Sequence, residues 1–493
     1  MSNYLGFFLG LHDSNLTLVK DNQIIYQKSE RLLGIKHHKA DIHFINKILN
    51  NHKIDHLNGV AYTDGNRNGL GECTGKNLVQ NGLPYWNCPV FNLDHHYAHA
   101  LSVWPMIELR KVNWAISIDG RGDNERRISI IKNPGTNPEL VYENKNLGIA
   151  KLFMYIGEKM ELNGQPIDFA GKIMGLQSYG IPYLNYVEKS RELFKHDIRM
   201  IPYALPWHQE LSYSPNDQDF KNWLATIHLM IEEYVIDLFQ KFFKPDDFIA
   251  YTGGVAQNTV INMRLKRLFQ NLQIPPHAYD GGLSLGCIEF LRQKNNEKFE
   301  KSFFPFWQND EIIKDPRNEV IEKIADYLAD GKTVGWYQGY GELGPRALGN
   351  RSLLFDPRHK DGKEVVNQIK QREEWRPFSG SVLEERANEF FELENSPYML
   401  YACKVKKPED LPAITHIDNT CRIQTVPYRE TCCYAKLLKE FEKRTGIPVL
   451  LNTSLNMGGK PIVSTVQEAI DMFQKTKMDV LCLGNKIMKK PHC

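Results

Sequence analysis

The 493-residue chain has no CxxC pair, and its nine cysteines are scattered apart from the adjacent Cys432 and Cys433. A zinc ribbon and a disulfide framework are therefore both disfavoured, and a reducing, cytoplasmic setting fits the composition. No run of about 18 consecutive apolar residues occurs, which argues against a membrane span. The first residues, MSNYLGFFLGLHDS, lack a basic start and a small-residue cleavage site, so they read as a buried strand and turn rather than a signal peptide. GxxxxGK[ST] is missing, so any phosphate site is not a P-loop. HExxH is missing too, which removes the zinc-protease reading. Lys+Arg total 61 and Asp+Glu 59, a net charge of +2, so bulk electrostatics give no case for nucleic acid or an acidic membrane. Neither an internal sequence repeat nor a low-complexity tract is visible.

What is present is an ordinary globular composition, 42% hydrophobic and 24% charged. The length exceeds what one core holds, so two or three domains are expected. YLGFFLGLHDSNLTLVKDNQIIYQKSER reads as three strands with polar turns at HDS and KDN. VNWAISIDGRGDNERRISIIKN repeats strand, turn, strand. KPDDFIAYTGGVAQNTVINMRLKRLF reads as a buried strand, a glycine turn and an amphipathic helix, the usual cradle for an anion or nucleotide. Between about residues 295 and 317, charges, aromatics and prolines mix without periodicity, which reads as a linker or domain boundary. Beyond it VIEKIADYLADGKTVGWYQG is a helix, a glycine stop and a strand, opening a second α/β domain. The expected division is 1–300 and 301–493.

Three histidines fall within NLDHHYAHALSVWP: His95, His96 and His99. Residues four apart share a helix face, so His95 and His99 can present imidazoles to one ion while His96 points elsewhere. Asp94 is placed to cap that helix. A buried, hydrogen-bonded histidine pair explains the spacing equally well. Asp119 ends the strand AISID and Asp280 opens DGGLSLGC, each beside glycine, where an ordinary turn aspartate is also common. Together the two histidines and two aspartates make an N2O2 set suited to Fe(II), Mn or Zn.

Gly253 and Gly254 leave backbone N–H groups free to meet an anion, or simply make a packing turn. In AGKIMGLQSYG, Lys172 reads as a phosphate contact or a solvated lysine. His12, in the first hairpin turn, is a candidate to act near a reacting hydroxyl or a structural turn residue. GELGPRALGNRSLLFDPR carries Arg346, Arg351 and Arg358; IKQREEWRPFSGSV adds Lys370, Arg372 and Arg376; CRIQTV adds Arg422. Guanidinium forks suit phosphate oxygens. Arg346 and Arg351 lie among glycines and apolar residues, which favours buried anion binding over a solvated surface.

These stretches resemble the O-carbamoyltransferase family, which includes the nodulation NodU proteins and enzymes that carbamoylate antibiotics. The resemblance runs through GLHDSNLTLVKD, SERLLGIKHH, LDHHYAHA, IDGRGD, DFAGKIMGLQSYG, TGGVAQN, DGGLSLGC, GELGPRALGNRSLLFDPR, IKQREEWRPFSGSV, THIDNTCRIQTV and LLNTSLNMGGKPIV, in the family's order. It implies an α/β protein with an N-terminal actin-like ATPase domain, similar to the tRNA threonylcarbamoyltransferase, and a C-terminal YrdC-like domain. The second domain then forms carbamoyl-AMP from carbamoyl phosphate and ATP, with magnesium, releasing pyrophosphate. The first transfers the carbamoyl group to a hydroxyl of a small-molecule or sugar acceptor and releases AMP. His95, His99, Asp119 and Asp280 become the ligands of a metal, usually iron, with Zn or Mn as alternatives, and His96 a supporting or core residue. Gly253, Gly254, Asn258 and Lys172 fall in the nucleotide site. Arg346, Arg351, Lys370, Arg372, Arg376, Arg422, Asn452, Ser454 and Asn456 fall in the carbamoyl-adenylate site. His12, Lys36, Arg346 and Arg351 are the catalytic candidates, the basic stretch of Lys36, His37 and His38 serving as a contact to the acceptor or carbamoyl group.

The chain departs from the family in two places. Gln177 and Ser178 stand where proline or alanine is usual. Arg121, Arg126 and Arg127 stand where small hydroxyl residues are commoner, which implies either an exposed strand face or an anionic acceptor. The competing reading is an actin-fold kinase acting on a small hydroxyl or acid substrate. Neither nucleic acid nor membrane is expected as a partner; a homodimer stays open.

Overall fold

The opening alternation of apolar runs and polar turns folds as three antiparallel strands, β1 (Asn3–Phe8), β2 (Asn15–Lys20) and β3 (Gln23–Lys28). The computed structural model describes residues 2–64, 79–81, 87–146, 148–187 and 211–491. The chain divides into two units, Met1–Ser29 with His37–Phe304, and Glu30–Lys36 with Pro305–Cys493.

In the first unit β4 (Gly59–Thr63) lies parallel to β1, β6 (Val90–Leu93) parallel to β4, and β5 (Val79–Asn81) antiparallel to β6. The order is β3-β2-β1-β4-β6-β5. A second sheet follows the same plan. β7 (Trp114–Ile118), β8 (Ile128–Lys132) and β9 (Glu139–Asn144) form an antiparallel meander. β10 (Ile249–Thr252) then pairs parallel with β7, and β11 (Leu272–Gln273) parallel with β10. The topology is thus duplicated although the sequence shows no repeat, because strand order depends on apolar patterning rather than on residue identity.

Five helices of this unit frame the site: α1 (His95–Leu101), α2 (Phe169–Leu176), α3 (Gln218–Phe242), α4 (Thr259–Leu268) and α5 (Leu283–Lys294). Asp94 caps α1 as its position implied, accepting from the Tyr97 N–H at 3.0 Å. Every residue of α1 is buried. Its close packing against α5 depends on Gly286, where a Cβ would lie 1.8 Å from the Ala98 carbonyl oxygen. On the other side of α5, a Cβ on Gly6 of β1 would lie 2.4 Å from the Ser284 carbonyl oxygen. Two glycines therefore let a strand, a helix and the histidine-bearing helix stack at backbone distance.

The second unit holds one eight-stranded sheet in the order β17-β18-β16-β19-β15-β13-β20-β21. Its strands are β13 (Val334–Tyr337), β15 (Arg351–Phe355), β16 (Ser379–Leu383), β17 (Ala402–Lys404), β18 (Thr420–Val426), β19 (Val449–Ser454), β20 (Val480–Leu483) and β21 (Lys486–Lys489). β12 (Gln308–Ile313) also pairs antiparallel with β14 (Gly339–Gly341). Helices α6 (Asn318–Ala329), α7 (Gly362–Lys370), α8 (Cys433–Thr445) and α9 (Val466–Lys475) pack with this sheet's unit. Ile321, Ile324 and Leu328 of α6 meet Trp336 of β13 and Leu437, Leu438 and Phe441 of α8 in its core.

A division falls inside the stretch read as a linker or domain boundary, and two details differ from the sequence reading. Within 295–317, Gln308–Ile313 is a strand whose alternation is hidden because its buried positions, Gln308 and Asp310, are polar. The boundary falls at Phe304/Pro305, and the segment Glu30–Lys36, including Lys36, belongs with the second unit rather than the first.

Replacing Gly286 by alanine forces α1 and α5 apart. The expected loss is about 1–3 kcal/mol, read as a lower urea midpoint than wild type.

Candidate functional site

Four donor groups converge in the first unit. His95 and His99 come from α1, Asp119 from the turn after β7, and Asp280 from the turn before α5. Their ligand atoms all lie within 4.8 Å of one another. His99 Nε2 is 2.9 Å from Asp119 Oδ2 and 3.4 Å from Asp280 Oδ1. His95 Nε2 is 3.7 Å and 3.4 Å from the same two oxygens, and it is buried without a hydrogen-bond partner. Burial opposes charge on both imidazoles, yet the two carboxylates raise both above the ordinary histidine value. The helix face read from the sequence is real, and the two aspartates meet it. His96 is elsewhere: its Nδ1 lies 2.6 Å from Ser129 Oγ, and burial and the His95 charge hold it far down, hence neutral.

Of the three unusual arginines, Arg121 is exposed while Arg126 and Arg127 are buried rather than on an exposed face. Arg126 is fully buried, 2.9 Å from Asp94 and 3.1 Å from Glu143. It clamps the residue that caps the histidine helix. Asp123 holds the same helix end, accepting the His95 N–H at 2.6 Å. Burial and Asp94 push the Asp123 carboxyl up to about 6. Arg127 is buried beside Glu125 at 3.8 Å, and Arg121 pairs with Glu125 at the surface.

His12 occupies the β1–β2 turn with its side chain 40% exposed, so a substrate can reach it. Its Nδ1 is 3.0 Å from Asp13 Oδ2 and 3.9 Å from Asp280 Oδ2. Asp13 is buried with φ +54°. Its other oxygen is 2.7 Å from Lys28 Nζ and 3.0 Å from His37 Nδ1. His37 Nε2 in turn is 3.0 Å from Asp168 Oδ1, at the start of α2. Burial opposes the His37 charge, but the bonds to Asp13 and Asp168 raise its pKa to about 9.

The glycine loop lies beside this centre. Gly253 has φ +89°, and a Cβ there would lie 2.3 Å from the Ile118 carbonyl oxygen. Only glycine suits that approach. A Cβ on Gly254 would come within 3.5 Å of Asp119 Oδ1. Asn258, placed in the nucleotide site by the resemblance, is engaged with protein groups. Its Oδ1 caps α4 by accepting from Val260 and Ile261, and its Nδ2 lies 3.0 Å from His228 Nε2. His228 Nδ1 donates to Glu232 at 2.6 Å. Lys172 donates to the Asn163 carbonyl.

In the second unit the sheet register aligns residues far apart in sequence. Arg422 on β18 pairs with Ser379 on β16, which pairs with Asn452 on β19. Arg422 Nε donates to Ser379 Oγ at 2.9 Å. Asn452 Nδ2 reaches Ser381 Oγ at 2.9 Å and the carbonyl of Ala347, next to Arg346, at 3.3 Å. Lys370, the last residue of α7, is buried and donates to the Ser454 and Asn456 carbonyls at 2.5 and 2.7 Å and to Asn456 Oδ1 at 2.6 Å. Arg372 lies over the Phe378 ring at 3.9 Å, and Arg376 is 3.3 Å from Glu373. Burial, then Arg372, Arg376 and Lys36, drive the Lys370 pKa well down. Burial and the neighbouring guanidiniums do the same to Arg372 and bring Arg422 to about 10. Cations held together against their own repulsion favour an anion.

Arg351 and Arg358 do not belong to this group. Arg351 is fully buried, donates to the carbonyls of Gln338, Glu311, Gly339 and Asn350, and lies 3.7 Å from the Tyr337 ring centroid. Its two terminal nitrogens meet backbone carbonyls and its Nε lies 3.8 Å from buried Asp310, so the guanidinium read from the sequence as a catalytic and phosphate contact faces protein groups. Arg358 is paired with Asp356 at 2.6 Å. Arg346 is half-buried in a loop fixed by Glu342, whose Oε1 accepts the N–H groups of Leu348, Asn350 and Arg351 at 2.8–3.0 Å.

Sequence reasoning named His37 only as part of a basic stretch, and missed Asp13, Lys28, Asp168 and the Ser379–Ser381 pair. The alternation in FSGSV, with serines two apart, was the available signal for the last.

Comparison with known proteins fits the geometry. The carbamoyltransferase N-terminus model matches residues 84–288 and the carbamoyltransferase C-terminus model residues 325–490. Nodulation protein NolO of Bradyrhizobium diazoefficiens is 31% identical over 443 residues, covering 81% of this chain and 79% of that protein. Nodulation protein NolNO of Sinorhizobium fredii is 32% identical over 438 residues, covering 81% of this chain and 64% of that protein's length. The chain belongs to the carbamoyltransferase family, a class of enzymes. Among solved structures, component A of (R)-2-hydroxyglutaryl-CoA dehydratase from Acidaminococcus fermentans is 17% identical with a TM-score of 0.36, over 60% of this chain and 100% of that one.

The His37 bridge carries a pH signature. Its pKa is raised on folding, so its stabilisation is full below the unfolded value of about 6.5 and is lost as pH rises through about 9. The wild type should exceed His37→Gln by ~3 kcal/mol at pH 6, and urea titrations should show that gap closing by pH 10.

Proposed function

We propose that the protein forms carbamoyl-AMP in its second unit and transfers the carbamoyl group to a hydroxyl of a small-molecule or sugar acceptor in its first. In this reading the first unit is an actin-like ATPase domain and the second a YrdC-like domain, working in the cytoplasm. The observation that carries it is the cationic group of buried Lys370 and half-buried Arg372, Arg376 and Arg422 beside Asn452, Ser454 and Asn456. Such a group suits two anionic substrates, ATP and carbamoyl phosphate, that otherwise repel.

Atom balance requires one water. It takes the phosphoryl group from carbamoyl phosphate, giving carbamate and inorganic phosphate. A carbamate oxygen attacks the α-phosphorus of ATP, bound with magnesium, and pyrophosphate leaves. In the first unit the acceptor oxygen attacks the carbamoyl carbon, the bond to the adenylate oxygen breaks, and AMP departs with the electron pair. His12 takes the hydroxyl proton, being exposed and beside the four-donor centre. Lys36 belongs with the cations of the second unit in this scheme, since its charge bears on Lys370.

The N2O2 donor set, with a buried His95 Nε2 that finds no hydrogen bond, fits a divalent ion of the Fe(II), Mn or Zn type. His95, His99, Asp119 and Asp280 would hold it, and when bound it supplies Lewis acidity to the carbamoyl or phosphate oxygens.

Incubation with ATP, with and without carbamoyl phosphate, tests the first half-reaction. Pyrophosphate should appear only when both are present, and Lys370→Met should lower its rate by about a hundredfold or more. ADP formed without carbamoyl phosphate would instead establish the kinase reading. Separately, purified wild type should carry an ion detectable by elemental analysis, and His99→Ala should lose it while its far-ultraviolet circular dichroism is unchanged. Equal metal content in both would remove the metal assignment.

A further inference from the structure

We propose that Asp13 is the positioning residue that fixes the tautomer of His12, with Lys28 and His37 deciding which carboxylate oxygen does so. The proposal rests on the carbamoyl-transfer reading only for what His12 then does.

The argument is one of donors and acceptors. Asp13 Oδ2 is 3.0 Å from His12 Nδ1. Burial opposes ionisation of Asp13, yet Lys28, His12 and His37 hold its carboxyl far below the ordinary value. A carboxylate can only accept. His12 Nδ1 must therefore carry the proton, which leaves the lone pair on Nε2. That nitrogen, on a half-exposed ring, is the one available to a substrate hydroxyl.

The opposite carboxylate oxygen is held just as firmly. Asp13 Oδ1 faces Lys28 Nζ at 2.7 Å and His37 Nδ1 at 3.0 Å. An ammonium has no lone pair, so whatever faces it must accept. Lys28 is itself anchored to Tyr279 Oη at 3.0 Å, and His37 is anchored to Asp168 at 3.0 Å. With Nδ1 donating to Asp13 and Nε2 to Asp168, His37 is an imidazolium. The carboxylate is thus oriented from behind by two cations, and the turn accepts a φ of +54° at Asp13 to bring neighbouring side chains together.

This arrangement makes an isosteric substitution informative. In Asp13→Asn the amide oxygen must face Lys28 and His37, so the NH2 group faces His12. Asp280 Oδ2, 3.9 Å from Nδ1, is beyond hydrogen-bond range, so Nδ1 accepts from the amide, the ring proton moves to Nε2, and the lone pair is removed from the substrate side. In the transfer step the wild-type Nε2 takes the acceptor proton as the C–O bond forms and the adenylate bond breaks, and the Asp13 carboxylate stabilises the resulting imidazolium.

The test is a long-range proton–nitrogen correlation spectrum of the full chain labelled with 15N-histidine. The protein is produced with zinc, which has no unpaired electrons, and measured at a pH where the His12 ring is neutral. The His12 signals are those missing in His12→Gln. Wild type should show Nδ1 protonated and Nε2 bare, and Asp13→Asn the reverse. An Nε2–H tautomer in wild type overturns the proposal even if the variant fails to fold. So does a folded Asp13→Asn protein with an unchanged tautomer. Pyrophosphate release is assigned to the second unit, so its absence in wild type would count against the carbamoyl-adenylate reading and leave the tautomer result standing.

Discussion

The contact on which the first unit depends is the backbone approach of Gly286 to the Ala98 carbonyl. It brings the helix that follows Asp280 against the helix that carries His95 and His99. Without it the four donor atoms, which come from one helix and two turns, have no reason to share a volume under 5 Å across. The cap at Asp94, held by Arg126, then fixes how far α1 is rotated. Placement of the donors is therefore set by backbone packing and by a buried ion pair, not by the donors themselves. Removing one partner of such a pair leaves a buried charge uncompensated, which costs far more than the pair contributes intact.

The two units handle charge in opposite ways. Around Asp13 every carboxylate oxygen is matched by a cation or a histidine, giving a closed network that persists without a ligand. Around Lys370 the balance runs the other way. The ammonium meets four oxygens of Ser454 and Asn456, all neutral, and its charged neighbours are themselves cations. An arriving polyphosphate would relieve that repulsion, so in this unit affinity for anions and strain in the free protein have one origin.

Periodic features were the legible ones. The i, i+4 histidines, the strand–turn–strand opening, the glycine turn before α4 and the cap at Asp94 follow from spacing and turn chemistry, and each is found where the spacing put it. Features made by register were hidden. Nothing in the sequence says that Arg422, Ser379 and Asn452 lie across neighbouring strands, because three separate pairings decide it. Arg346 and Arg351 show the limit of arguing from composition. Both lie in an apolar, glycine-rich stretch, but Arg351 is on a strand that turns it into a nest of carbonyls, and only its backbone partner could reveal that. Arg126 teaches the same lesson: a run of arginines on a strand looked exposed or ligand-binding, and its partner, Asp94, is 32 positions earlier.

The duplicated topology has one further consequence. His12 and Asp13 follow the first strand of the first sheet, and Asp119 and Asp123 follow the first strand of the second. These are equivalent positions in two copies of one plan, yet one turn carries an orienting pair and the other a ligand and a helix anchor. Symmetry of the scaffold has been kept while symmetry of the chemistry has been given up. Half of the unit would therefore inherit a turn of the right shape with nothing opposite it, so the centre exists only as a property of the two halves taken together.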